Sequence, residues 1–284
     1  MPYLDHFGFT GWPFTLTPNR GLFFPDQHQH VLESARFAVQ RGEPIVKVSG
    51  EVGTGKTLLC RLLMTSFSEE GECVAFLALP QAGYHATMRG VAREFGLNPA
   101  TDDDIFPLLS NHLMQEHAAG RRPILVVDEA QALGRKGLET IRLLSNLETD
   151  EAKLLQVVLF GQPELDRLVD EYGMRQIRQR ITFSFTTKPF DTRAGVRYIR
   201  YRVQQRSRVA PNDVFTRGAM KVLVKAAGGI PRAINLVADR ALLAAYAADS
   251  PRVTRRHARR AVRDAGLVPD GPAGWLRLGR GRAA

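Results

Sequence analysis

The chain has 284 residues, 44% of them hydrophobic and 24% charged, which is ordinary globular composition and enough length for one large domain and a smaller one. No apolar run approaches the ~18 residues that cross a bilayer, and the start, Met1-Pro2-Tyr3-Leu4-Asp5-His6, lacks the basic-then-apolar layout of a signal peptide. The expectation is a cytoplasmic protein without a transmembrane segment, and its formal net charge of +10 is unevenly spread, with nine arginines from Arg252 onward against Asp264 and Asp270.

The opening segment is rich in aromatics and turn formers (Phe7, Phe9, Trp12-Pro13-Phe14, Phe23-Phe24-Pro25) without periodicity, and reads as an ordered strap over residues 1–28, not a helix. Apolar residues at helical spacing follow from Gln29 to Arg41. Short apolar runs then alternate with helical patterns. Ile45–Val48 reads as a strand, Lys56 to Phe67 as a helix, Cys73–Leu79 as a strand and Thr87–Phe95 as a helix. Leu108–Ala118 (helix), Ile124–Val127 (strand), Leu138–Leu147 (helix) and Leu155–Phe160 (strand) continue the series, with Phe183–Thr187 as a fifth strand. Such alternation predicts an α/β fold: a doubly wound parallel sheet over residues 29–189 with helices on both faces. Past Lys188-Pro189 only helices are expected (Arg193–Arg206, Phe215–Ala227, Pro231–Ala247, Thr254–Ala265), a helical domain over 190–266 followed by a turn-rich basic tail, 267–284. That tail and the arginine-rich helix before it could meet anionic lipid, nucleic acid or an acidic partner, and a solvated face is the plainer reading.

The chemistry starts at Gly50-Glu51-Val52-Gly53-Thr54-Gly55-Lys56-Thr57, with Leu58 in the helix that follows. A strand, this loop and a helix form a phosphate-binding signature, because glycines let backbone N–H groups curl around phosphates and the helix N-terminus adds its dipole. Lys56 is expected to reach the β- and γ-phosphates and Thr57 to ligate Mg²⁺. Ile124-Leu125-Val126-Val127 ends in Asp128-Glu129, where Asp128 suits the magnesium shell and Glu129 suits polarising a water. The next strand ends at Gly161-Gln162, which makes Gln162 a candidate sensor beside the γ-phosphate. Arg178 and Arg180, just before the last strand, are candidate fingers for a neighbouring subunit's nucleotide, with a solvated helix end as the alternative. Arg232, in Gly229-Ile230-Pro231-Arg232, could fold over the phosphates and couple the helical domain to ATP. Cys60 and Cys73 read as reduced, buried small hydrophobes. They show no paired spacing with the seven histidines, so no metal is expected beyond nucleotide-bound Mg²⁺.

These motifs together resemble an AAA+ ATPase, and more closely the ExeA/GspA family of secretion-associated ATPases, over about residues 3–265. The matching stretches are Gly50–Thr57, Asp128-Glu129-Ala130-Gln131, Leu138–Glu148, Gly161-Gln162-Pro163-Glu164-Leu165 and Arg178-Gln179-Arg180-Ile181. Within it, Leu16-Thr17-Pro18-Asn19, Lys47–Arg61 and Leu154–Asp166 are most similar to the MshM branch of MSHA-type type IV pilus biogenesis. The resemblance implies a nucleotide site between subunits of a homo-oligomer, a helical lid, inner-membrane assembly partners, and peripheral placement at the inner membrane. It also makes His28 and Phe24 candidate contacts at the nucleotide edge, with packing as the preferred reading for both. Members of the GspA type continue into a transmembrane helix and a peptidoglycan-binding domain, which this chain does not reach, so the expectation is the shorter pilus branch or a truncated relative. Ala132 departs from the Asn or His common there. The leading expectation is ATP hydrolysis that supports assembly of a pilus or a type II secretion-like machine. The alternatives are an ATP-dependent DNA-binding regulator of transposition, carried by the basic helix Arg255–Arg263, and a nucleotide-binding scaffold that never hydrolyses.

Overall fold

Strand β1 (Ile45–Gly50) is buried along its whole length, which a strand flanked by neighbours on both sides and by helices on both faces requires. A computed structural model describes residues 2–17, 19–150, 152–208 and 210–267, and the expected basic tail beyond Leu267 lies outside them. In chain order the elements are α1 (Pro2–His6), α2 (Asp26–Gln40), β1, α3 (Lys56–Glu69), β2 (Cys73–Leu77), α4 (Tyr84–Glu94), α5 (Ile105–Ala118), β3 (Pro123–Val127) and α6 (Gly134–Leu144). They continue through β4 (Gln156–Gly161), α7 (Pro163–Asp170), α8 (Arg175–Arg180), β5 (Ile181–Thr187), α9 (Thr192–Gln204), α10 (Pro211–Val214), α11 (Arg217–Ala226), α12 (Pro231–Tyr246) and α13 (Arg255–Asp264). Contacts divide the chain into two units, one of residues 27–52 and 56–187, the other of residues 1–26, 53–55 and 188 onward.

The first unit is a sheet in the order β2-β3-β4-β1-β5, every described pairing parallel, as the strand–helix alternation predicts. Because successive strand residues point to opposite faces, Ile45, Leu125, Val127, Val157 and Leu159 join one apolar cluster with Met88, Leu109, Leu113, Leu138 and Ile141 from α4, α5 and α6. The intervening Val46, Val48, Val126, Val158 and Phe160 face the other way and are equally buried, as are Leu59, Leu63 and Phe67 of α3. Truncating a fully buried side chain such as Phe67 to alanine costs about 3–5 kcal/mol. The strand order sets β4 between β3 and β1, so the loops leaving the carboxyl ends of these three strands emerge side by side. That is where an open α/β sheet binds ligands.

The second unit is helical and includes the opening strap. Tyr3, Phe7, Phe9 and Phe14 are buried with Ile199, Met220, Leu223, Ile234, Val237 and Leu242 in one core. The strap's carbonyl groups are met by buried polar side chains: Arg202 Nε donates to the Pro13 oxygen (2.7 Å) and Asn235 Nδ2 to the Thr15 oxygen (2.9 Å), so its backbone is not left unpaired. The Tyr3 hydroxyl donates to the Asp239 carboxylate. The strap does contain a helix, α1, contrary to the expectation from sequence. Five residues are too few for a 3.6-residue period to register, although Tyr3 and Phe7, four apart, share its buried face. In the same unit Phe24 meets the rings of Phe190, Tyr198 and Tyr201. The structure therefore gives Phe24 the packing role.

Candidate functional site

Gly50 ends β1 against Thr187 of β5, so closely that a Cβ would fall 2.0 Å from the threonine hydroxyl and 2.7 Å from its carbonyl oxygen. Only glycine fits there. Gly53 and Gly55 take φ of 81° and 103°, conformations that L side chains rarely adopt. The loop thus turns sharply back into the N-terminus of α3. Lys56, the first residue of that helix, is 6% exposed, and its ammonium donates to the carbonyl oxygens of Gly50 (2.6 Å) and Glu51 (2.9 Å). Burial pulls its pKa below the ordinary lysine value, and the charges of Glu129, Asp128, Glu51 and Glu164 oppose that shift. Thr54 is buried, whereas Glu51 and Val52 are exposed at the loop's rim.

Asp128 follows the last residue of β3 and keeps the strand's direction through its N–H, which donates to the Leu77 oxygen at 3.0 Å. Its carboxylate accepts from the Thr57 hydroxyl and from the Glu129 N–H (2.9 Å). Burial raises the Asp128 pKa above the ordinary carboxylate value, and those two donors work against the rise. A half-buried hydroxyl beside a buried carboxylate, at the mouth of the glycine-rich turn, is a hard-oxygen donor set suited to Mg²⁺.

Glu129 departs from the strand. Its backbone lies in the left-handed region (φ 50°, ψ 40°), a strained conformation for a residue with a side chain, which swings the carboxylate sideways toward β4. There Gln162 Nε2 donates to Glu129 Oε2 at 2.8 Å, and Gln131 Nε2 donates to the same oxygen at 2.5 Å. Gln131 closes the ring, because its Oε1 accepts the Gln162 backbone N–H (3.0 Å). The structure thus brings together Lys56, Thr57, Asp128, Glu129 and Gln162 and adds Gln131, which was legible only as part of the Asp128–Gln131 stretch. Its position two residues after Glu129, in a tight 3₁₀ turn, is what aims it back. A second unforeseen partner is Lys47, 8% exposed in the middle of β1, whose ammonium pairs with Asp166 of α7 and ties the helix after Gln162 to the central strand. A lysine inside an otherwise apolar central strand was the available signal.

Arg178 and Arg180 do not reach this cluster. They lie in α8, immediately before β5, and Ile181 pairs with Ile45 at the amino end of β1. The seven-residue strand β5 puts about 20 Å between them and the loop end of the sheet. Arg178 is exposed and pairs with Asp170 at 3.8 Å, while the charge of Arg180 bears on Lys153. A cleft of 830 Å³ also opens at this amino end, lined by Glu72, Arg121, Arg122, Lys153 and Gln156 among others, and includes none of the phosphate-loop residues. In the helical unit, with which residues 53–55 group, the N–H of Arg232 donates to the Gly53 oxygen at 3.2 Å, and its side chain is exposed. His28 is buried, 6% exposed. Both thiols are pushed up, chiefly by burial, Cys73 to about 11. No helix among the described residues is long and apolar enough to cross a membrane.

Residues 39–169 match the family model of an AAA domain. The General secretion pathway protein A of Aeromonas hydrophila is 40% identical over 255 residues, covering 88% of this chain and 46% of that protein, so the chain spans about half the length of the curated relative it matches. Among solved structures, Cdc6p from Pyrobaculum aerophilum superposes with a TM-score of 0.73 at 15% identity, over 94% of this chain and 73% of that one. Drosophila ORC bound to DNA gives 0.64 at 16% identity (88% and 63%). The RuvB Holliday junction branch migration motor of Thermotoga maritima gives 0.55 at 14% identity (87% and 71%). These likenesses establish the fold, a parallel AAA sheet with flanking helices and a helical C-terminal region.

Proposed function

We propose that the chain binds Mg-ATP in the Gly50–Thr57 loop and hydrolyses it in support of an envelope machine, a type II secretion-like system or a type IV pilus. The observation that carries the chemistry is Glu129, held in a strained backbone conformation after β3 with its carboxylate clamped by two amides, one of them from Gln162 at the end of β4, the strand between it and the Lys56 loop. The backbone N–H groups of Gly50, Glu51, Val52, Gly53, Thr54, Gly55 and, in the first turn of α3, Leu58 supply the phosphate cradle. Lys56 exchanges the Gly50 and Glu51 carbonyls for phosphate oxygens. Bound Mg²⁺, held by Thr57 and Asp128, supplies charge neutralisation on the phosphates. Both amides converge on Oε2 of Glu129, which leaves Oε1 to take the proton of the attacking water while Gln162 orients that water. Arg178 and Arg180 act in trans: about 20 Å of strand separates them from their own loop, so only a second copy can bring them to a nucleotide, in a homo-oligomer. Arg232 reports nucleotide occupancy through its bond to Gly53.

The envelope assignment is supported by the 40% identity with General secretion pathway protein A over 88% of the chain. The pilus branch is our finer reading, supported by the stretches Lys47–Arg61 and Leu154–Asp166, with inner-membrane assembly proteins as partners and the cytoplasmic face of that membrane as the place of action. ATP turnover measured against protein concentration tests the chemistry. Specific activity should rise with concentration and collapse in Arg180→Ala; a flat profile with a normal Arg180→Ala enzyme defeats the shared site. A strain lacking the gene that still assembles surface pili and secretes normally would defeat the envelope role.

One observation favours a second reading, an ATP-dependent regulator acting on DNA. Arg255, Arg256, Arg259, Arg260 and Arg263 are all exposed on α13, a row suited to phosphate contacts. ATP-dependent, salt-sensitive retention of duplex DNA, lost on reversing these charges, would select it; its absence at low salt removes it.

A further inference from the structure

Away from the nucleotide loop, three side chains of different chemistry meet at the outer edge of the sheet. Cys73 opens the edge strand β2, and His112 and Glu116 stand four residues apart on one face of α5. The Cys73 sulfur lies 3.9 Å from His112 Nε2, the Cys73 thiol donates to Glu116, and one ligand atom from each of the three residues lies within 4.8 Å of the other two. All three side chains are half-buried, and no other such trio occurs among the described residues. The sequence hides the grouping, because 39 residues separate the cysteine from the histidine.

We propose that Cys73, His112 and Glu116 form a binding site for a zinc-class divalent cation, with a solvent molecule as the fourth ligand. Tetrahedral zinc, with bonds of about 2.0–2.3 Å, holds its donor atoms about 3.3–3.8 Å apart, so the trio closes on a metal by side-chain shifts of about 1 Å. The donor set selects the ion. A thiolate disfavours Mg²⁺ and Ca²⁺, which take oxygen ligands, and the imidazole with carboxylate suits zinc. A thiolate and a carboxylate among the ligands match the two positive charges of a divalent ion, with the neutral imidazole as the third ligand. The surroundings orient the ligands as the second layer of a metal site does. Arg121 grips the Glu116 carboxylate with two bonds (2.6 and 2.9 Å), and the Phe95 ring lies 5.6 Å from the His112 ring. Bound there, the ion would staple α5 to the edge strand of the sheet, far in function from the nucleotide-bound Mg²⁺ of Thr57 and Asp128.

Cobalt(II) titration of the metal-free full chain tests this, because a thiolate ligand gives a charge-transfer absorption that oxygen-only sites lack. We expect one cobalt per chain with that band, displacement by one equivalent of zinc, and a rise in thermal midpoint of about 5 °C at zinc concentrations ~100-fold above the dissociation constant. Cys73→Ser and His112→Gln should each abolish the band, and Glu116→Gln should weaken affinity by about 10–100-fold. Cys60→Ser should keep the band. No band in the wild-type chain up to about 100 µM cobalt, or a band that survives Cys73→Ser, overturns the site; the wild-type titration decides even if a variant fails to fold.

Discussion

The two ends of the parallel sheet use their polar and charged groups in opposite ways. At the carboxyl end they are interlocked, with Lys56 and Asp128 buried and their partners half-buried: Lys56 on its loop carbonyls, Thr57 on Asp128, Gln131 and Gln162 on Glu129. At the amino end they form separate ion pairs nearer the solvent: exposed Arg178 with Asp170, and Arg121, on the lip of an open cleft, with the half-buried Glu116. Burial makes the first arrangement costly for folding and selective for a charged ligand; exposure makes the second cheap to change. Stability is given up where an anion is to be received, and the strained backbone of Glu129 belongs to the same bargain.

Four substitutions probe that contrast. Lys56→Ala should have the largest effect, lowering turnover by about 10³-fold and abolishing detectable nucleotide binding in a fluorescent-ATP titration; retained turnover would place the phosphates elsewhere. Gln131→Ala frees the Glu129 carboxylate on one side, and should lower kcat by about 10–100-fold while leaving KM for ATP nearly unchanged. Lys47→Ala strips Asp166 of its partner beneath the Gln162 loop and should cost about 2 kcal/mol in urea unfolding, less than a fully buried pair because Asp166 keeps some solvent contact. Arg178→Ala, at the exposed end, should change stability by less than about 0.5 kcal/mol even if it slows turnover in the oligomer.

The pH dependence sharpens the same comparison. The Asp128 carboxyl titrates above its ordinary value of 3.8, so the folded state binds that proton more tightly than the unfolded chain. Stability from the proton is present below about pH 4 and is lost as pH rises through the raised value. Without nucleotide, Asp128→Asn should therefore be more stable than wild type at pH 7, and the gain should close as pH falls toward 4 in thermal melts. A loss of stability at pH 7 would mean that Asp128 is a net structural support.

The turn at Gly50–Thr57 and the Asp128–Glu129 strand end are legible in the sequence because each is a fixed local spacing beside a strand. Gln162 is legible for a similar reason, at the end of an apolar run, once β4 is expected next to β1. Partners joined across the fold are not. Lys47 finds Asp166 through helix packing, Cys73 meets His112 only when α5 docks on the sheet edge, and Gln131 turns back because Glu129 adopts an unusual backbone conformation. The helix α1 escapes because one turn carries no period, and α7 because eight residues that open on a proline resemble a loop.

The central claim is that the interlocked carboxyl end is a hydrolytic Mg-ATP site with Glu129 as its base. Its most direct test is Glu129→Gln, followed by nucleotide binding and single-turnover hydrolysis on the same preparation. ATP affinity should stay close to wild type while hydrolysis slows by about 10²–10⁴-fold; hydrolysis at the wild-type rate with intact binding would rule out Glu129 as the base.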